Sequence, residues 1–160
     1  MEKLDLKKLY KSLYTPSANG FSIVDVPPLQ YLMVDGHGDP NTTPAYQDAI
    51  QTLYSLSYTL KFHIKKTTGQ DYTVMGLEGL WWMPDMSQFT VENKPNWDWT
   101  MMILQPEFIN PALLDEAKSQ AVAKGKAPLA AKTRLETLKE TTCVQIMYFG
   151  AYADEAPVIA

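Results

Sequence analysis

The sequence has 160 residues, a length that fits one domain able to bury its own core. Hydrophobic residues make up 46% of it and charged residues 20%, which argues against disorder and against a coiled coil. The net charge of −4 offers no basic surface for nucleic acid, and the apolar runs are too short to span a bilayer. We therefore expect a globular domain without nucleic-acid or membrane partners.

Cysteine usage and the first residues indicate the compartment. The only cysteine, Cys143, can form no internal disulfide and cannot build a metal site alone. The N-terminus carries acids and lacks the apolar segment of a signal peptide. A reducing, cytoplasmic setting is the simplest interpretation.

Turn residues, β-branched runs and helical spacing predict alternating strands and helices. The predicted elements, in chain order, are a short helix at 4–13, strands at 21–26 and 30–34, a loop at 35–40, a long helix at 43–67, strands at 72–82 and 97–104, a helix at 111–124, and strands at 133–139 and 143–149.

The long helix carries the strongest signals. Thr43 can cap its N-terminus, Pro44 suits its first turn and Gly69 suits its exit. We expect it to lie across a sheet in which 72–82 and 97–104 are neighbouring antiparallel strands.

Two stretches of the chain resemble each other. Residues 24–36 run strand, kink, strand and glycine, and residues 135–150 repeat that order. Such an echo suggests two similar modules. The second stops at Ala160, where its helix would begin, so we expect residues 1–160 to form one domain with a truncated second module.

Glu78 is the most informative polar residue. It lies in an apolar predicted strand with no basic neighbour in sequence, between Gly76 and Gly79. Burial of a lone carboxylate is costly, so its pKa should rise, and it could face a ligand cavity as an acid. The alternative is a strand end close to water, or a distant Lys or Tyr partner.

Aromatic residues are the second group of candidates. Trp81, Trp82, Trp97 and Trp99 flank one polar loop, where they could line a pocket or simply stabilise a hairpin. Tyr58 is expected on the long helix, where a tyrosine most often packs into the core.

Other chemistry has little support. His37 and His63 each lack a second ligand at metal spacing, so no metal or cofactor is expected. Cys143 resembles an inert strand residue more than a nucleophile. No phosphate-binding, dinucleotide-binding or nucleophile-elbow motif is present.

Four segments together resemble the stand-alone GyrI-like small-molecule-binding proteins over essentially the whole chain. They are YLMVDGHGDPN at 31–41, YSLSYTLK at 54–61, LEGLWW at 77–82 and WDWT at 97–100. The resemblance implies an α+β fold, a tandem of two β-rich modules, each with one helix, around a ligand cleft. Relatives include drug-binding domains with a buried Glu, and hydrolases that open cyclopropane rings with a Glu and a Tyr.

The resemblance also assigns residues. Glu78 matches the acidic strand of the first module, and Tyr152 matches the Gly-x-Tyr turn of the second, so both are candidate catalytic and ligand-binding residues. The resemblance further implies a key Glu of the family in a strand that would follow Ala160.

Three functions remain open. The first is binding of aromatic or cationic small molecules in a cleft formed by Tyr58, Glu78, the four Trp residues and Tyr152. The alternatives are a hydrolase for cyclopropane-type electrophiles and a protein that shields a target enzyme. A homodimer is also left open.

Overall fold

The computed structural model describes residues 1–159, which form an α+β fold with antiparallel sheets. The helices are α1 (Leu6–Leu9), α2 (Lys11–Tyr14), α3 (Pro44–Thr68), α4 (Pro111–Ala123) and α5 (Ala156–Ile159). The strands are β1 (Ser22–Val26), β2 (Leu29–His37), β3 (Glu78–Trp82), β4 (Asp98–Leu104), β5 (Arg134–Leu138) and β6 (Thr141–Gln145). The predicted fold class is confirmed.

The strands form a four-stranded sheet in the order β3-β4-β2-β5 and a two-stranded sheet of β1 and β6. Leu29 pairs with Leu138 at one end of the β2–β5 ladder, and Val26 pairs with Thr141 in the β1–β6 ladder. The β1–β6 pair therefore continues the β2–β5 pair after a bend. The two similar sequence stretches, 24–36 and 135–150, therefore lie side by side and bend at the same place.

Helix α3 covers one face of the larger sheet. Its buried side is continuous with the core and comprises Ala49, Thr52, Leu53, Leu56, Ser57, Leu60 and Ile64. The left-handed conformation of Gly69, with φ of 76°, ends the helix as predicted. Pro44 occupies the first turn and Thr43 is the N-cap residue, as predicted, although the Thr43 side chain makes no capping hydrogen bond.

The neighbouring antiparallel arrangement of β3 and β4 is confirmed, but the predicted strand at 72–82 is too long. Only Glu78–Trp82 forms a strand, while Tyr72 makes an isolated bridge with Leu4. The Leu77 N–H donates to the Tyr54 hydroxyl at 3.0 Å instead of to a strand. A side chain of α3 thus takes the place of a ladder partner.

Three other boundaries differ from the sequence prediction. The loop expected at 35–40 begins later, because β2 runs to His37 and pairs there with β4. The last strand covers Thr141–Gln145 and not 143–149, because the Met147 N–H bonds to the Ser17 carbonyl beyond its end. The N-terminal helix is split at Tyr10. Within residues 1–159, no helix combines the length and apolarity needed to cross a membrane.

Candidate functional site

Glu78 begins β3, and its carboxyl group has a raised pKa. Its Oε2 accepts a hydrogen bond of 2.9 Å from the Tyr14 hydroxyl. Within residues 1–159, no Lys, Arg or His lies at ion-pair distance from it. The structure therefore supports the tyrosine partner, which was one of the two alternatives left open by the sequence.

Glu78 faces a cavity of about 180 Å³ that lies at the bend between the two sheets. Polar and apolar side chains from α2, β1, β2, β3 and β6 contribute to its walls. The lining residues are Leu13, Tyr14, Val24, Val26, Leu29, Tyr31, Glu78, Glu140, Cys143, Val144 and Gln145. Among residues 1–159, two carboxyl groups, two phenols and one thiol line the cavity, and no cationic side chain does.

The surroundings of the cavity favour the protonated forms of Glu78, Tyr14 and Tyr31. Burial raises the pKa of Glu78, the Tyr14 hydrogen bond acts in the opposite direction, and the Glu140 carboxylate adds a smaller rise. Burial, followed by the Glu78 carboxylate, raises the pKa of both Tyr14 and Tyr31. Both phenols therefore remain protonated donors, and Glu78 stays neutral to a higher pH than an exposed glutamate.

Local hydrogen bonds position Tyr14. The Asp5 side chain accepts from the Lys7 and Lys8 backbone and starts α1. The Gln145 side-chain amide donates to the Ser12 carbonyl at 2.8 Å, which attaches α2 to β6. Tyr14, the last residue of α2, is thereby held over the cavity.

The opposite wall is formed where β5 passes into β6. Thr141 has a φ of 63°, the only positive φ of a non-glycine residue among those described. A β-branched residue in this region is strained, and such strain persists only where the surroundings impose it. Beside it, burial and Glu140 raise the pKa of the Cys143 thiol, which disfavours a thiolate.

The tryptophans lie mostly on the other face of the sheet. Trp81 pairs with Trp99 across β3 and β4, and both contact Tyr46 of α3, at ring distances of 5.8 and 5.5 Å. Trp99 is fully buried, and Trp97 stacks on Phe89 at 4.5 Å. Residues alternate along a strand, so Glu78 faces away from this cluster.

The remaining predicted residues are dispersed. Trp82 shares the Glu78 face and is 37% exposed, but it does not line the cavity. Tyr152 is exposed, and its proximity contributes to the raised pKa of Tyr46, after burial. Tyr58 lies on the outer side of α3 in a separate groove. The structure thus brings Glu78 together with none of the other six predicted ligand-binding residues.

Sequence reasoning missed Tyr14, Tyr31 and Glu140. The alternation of β2 could have assigned Tyr31 to one face, but the strand register that brings it near Glu78 joins distant segments. Tyr14 and Glu140 lie outside regular strands and carry no motif. Among residues 1–159, no three His, Cys, Asp or Glu side chains cluster as metal ligands would.

Fold and site together define an α+β protein with an acid- and tyrosine-lined cavity between two antiparallel sheets. No protein-family model and no curated protein matches the chain.

Three solved structures from Listeria innocua are each 32% identical to it. One is described as an uncharacterized conserved protein, with a TM-score of 0.89 over 98% of this chain and 77% of that chain. Two are described as hydrolases, with TM-scores of 0.87 and 0.84 over 99% and 98% of this chain and 77% and 76% of theirs. The chain belongs to the same family as these Listeria proteins.

Proposed function

We propose that the chain is a hydrolase of the GyrI-like type that opens strained electrophilic rings such as cyclopropanes. One observation carries the proposal: a carboxyl group with a raised pKa, held by a tyrosine hydroxyl, faces a cavity. A carboxyl group whose pKa is raised by burial stays protonated to a higher pH than an exposed one, which suits it to general-acid catalysis. The Listeria relatives described as hydrolases support the same reaction class.

The residues of the cavity take complementary roles in this proposal. A water molecule attacks a methylene carbon of a spirocyclopropyl dienone and forms a new C–O bond. The C–C bond to the spiro carbon breaks, and its electron pair makes the ring aromatic. Glu78 gives its proton to the dienone oxygen, while Glu140 takes a proton from the water. The product is a phenol that carries a hydroxyethyl group, so atoms and charge balance.

Tyr14 has a positioning role in the same proposal. Its hydroxyl fixes the orientation of the Glu78 carboxyl, and its own high pKa makes it a donor and not a competing base. The valines and leucines of the lining exclude bulk water from the developing phenol.

A second candidate function is binding of an aromatic cation without chemistry. The favouring observation is that Glu78 and Glu140 line the same cavity, whereas no cationic side chain of the described residues does. A cation would favour ionised Glu78 and lower its pKa. In both candidates Trp82, which lies on the Glu78 face of β3, remains a proposed ligand contact.

The test uses spirocyclopropyl cyclohexadienone in ¹⁸O-labelled water. Loss of dienone absorbance and one heavy oxygen in the phenol are expected for the unmodified chain. Glu78→Gln should lower kcat/KM by about 10²- to 10⁴-fold, the range for loss of a general acid. Glu107→Gln, which alters an exposed glutamate outside the cavity, is the matched control.

The outcomes separate the two candidates. Turnover that survives Glu78→Gln unchanged contradicts the hydrolase proposal. Absence of turnover, combined with saturable calorimetric binding of an aromatic quaternary ammonium that Glu78→Gln abolishes, supports the binding function instead. The free Cys143 fits the reducing cytoplasm that we propose as the location.

A further inference from the structure

The outer side of α3 carries an aromatic stripe that is separate from the core. Tyr54, Tyr58 and Phe62 follow one another at intervals of four residues, so they share one face of the helix. Tyr58 is 47% and Phe62 59% exposed, and their rings stack with centroids 6.3 Å apart. An exposed, stacked aromatic pair is typical of a binding surface and unusual on a solvated helix.

These aromatic residues form the floor of a groove between α3 and α4. The groove encloses about 810 Å³ and extends along α3 from Gln51 to Thr67. At a rise of 1.5 Å per residue, this corresponds to roughly 24 Å. Its shape is therefore elongated, with room for several helical turns.

The charge of the groove is basic, although the whole chain is acidic. Lys66, Lys124 and Lys126 line it, and none of them forms an ion pair within residues 1–159. Glu116, the one acid among the described lining residues, is approached by His63 at 3.5 Å and accepts from Gln120 at 3.3 Å. Three free cations beside an apolar floor favour an acidic, amphipathic occupant.

We infer that this groove docks an acidic amphipathic helix of a partner protein. Apolar side chains of that helix, spaced by three and four residues, would pack on Tyr58 and Phe62, as in helix-in-groove recognition. Its carboxylates would lie beside the three lysines. The groove lies on the helix side of the sheet and the Glu78 cavity on the other, so docking is independent of the proposed hydrolysis.

The probe is a fluorescein-labelled helical peptide of about 16 residues, matched to the ~24 Å groove, with leucines on one face and glutamates on the other. Fluorescence anisotropy should show saturable binding that weakens with salt. Phe62→Ala or Tyr58→Ala should raise Kd by at least about tenfold, as expected for interface aromatic anchors. Both side chains are exposed, so the fold should survive their truncation.

Matched controls keep the inference falsifiable. Phe149→Ala removes an exposed aromatic ring outside the groove, and Lys8→Glu reverses an exposed charge outside it; both should leave Kd unchanged. Lys124→Glu should weaken binding, and a peptide with lysine in place of glutamate should not bind. No binding, equal binding of a scrambled peptide, or insensitivity to Phe62→Ala overturns the inference. A homodimer that Phe62→Ala dissociates would also overturn it, because the groove's occupant would then be a second copy.

Discussion

Replacement of Glu78 by glutamine tests how burial of the Glu78 carboxyl group affects the stability of the fold. Glutamine keeps the size of the side chain and an oxygen that can accept from Tyr14, but it can never ionise. The ordinary pKa of 4.5 is raised by burial in the folded chain. Between that value and the folded pKa, the folded state binds more protons than the unfolded state, so stability falls as pH rises through this window. Glu78→Gln cannot ionise, so the variant does not lose stability in this window.

The expected magnitude follows from the contacts. Each unit by which the pKa is raised corresponds to about 1.36 kcal/mol of stability lost once the carboxyl is ionised. The Tyr14 hydrogen bond acts in the opposite direction, because an ionised acceptor is worth roughly 1 kcal/mol more than a neutral one. Burial outweighs this bond, because the pKa of Glu78 is raised overall. Glu78→Gln should therefore keep the free energy of unfolding equal or raise it, by roughly 1 kcal/mol near neutral pH, or about 2–4 °C in Tm.

Thermal melting at pH 4, 6 and 8 measures this prediction. The Tm of Glu78→Gln relative to the unmodified chain should increase as pH rises, while Glu107→Gln, an exposed control, should show no trend. A buried ion pair broken at one partner costs about 3–5 kcal/mol. A loss of that size at neutral pH would refute the reasoning, because it would mean that Glu78 neutralises a buried cation.

Three further predictions follow from individual contacts. Tyr14→Phe removes a hydrogen bond that lowers the pKa of Glu78, so that pKa should rise further, as measured by ¹³C NMR titration of the carboxyl; an unchanged titration would contradict this. Gly36→Ala should destabilise the fold by about 1–3 kcal/mol in chemical denaturation, because the added Cβ would overlap the Trp99 ring packed on Gly36. Gly20→Ala, whose added Cβ meets no atom within 4 Å, should not destabilise it. Equal effects of the two variants would refute the packing argument. Two lysines hold the pKa of Asp71 at about 2, so the stability that the ionised Asp71 contributes is present above its ordinary pKa of 3.8 and is lost as pH falls toward 2. Asp71→Asn should therefore abolish that part of the acid-induced drop in Tm. An unchanged drop would contradict this.

Local patterns were sufficient to predict much of the fold. The helical spacing from Thr43 onward, with Pro44 and Gly69 at its ends, predicted α3 closely, because these signals act within a few residues. The strand at Asp98–Leu104 and the alternation that directs Glu78 and Trp81 to opposite faces were predictable for the same reason.

The cavity could not be predicted from local patterns. It depends on the register that brings Tyr31 and Glu78 close together and on a side-chain bond from Gln145 that places Tyr14. These contacts join segments that are distant in sequence, and no short motif encodes them. The clustering of tryptophans in sequence suggested a pocket, but Trp99 is close-packed against Gly36 in the core. Aromatic density alone does not distinguish a core from a ligand site.

The pH dependence of kcat/KM for hydrolysis of the spirocyclopropyl dienone tests the central claim most directly. If Glu78 is the general acid, it must be protonated, so kcat/KM should fall with rising pH through its raised pKa, above the ordinary 4.5. The residual rate of Glu78→Gln should lack this alkaline decrease. A rate that rises with pH through this range, or an alkaline decrease that persists in Glu78→Gln, would contradict the account.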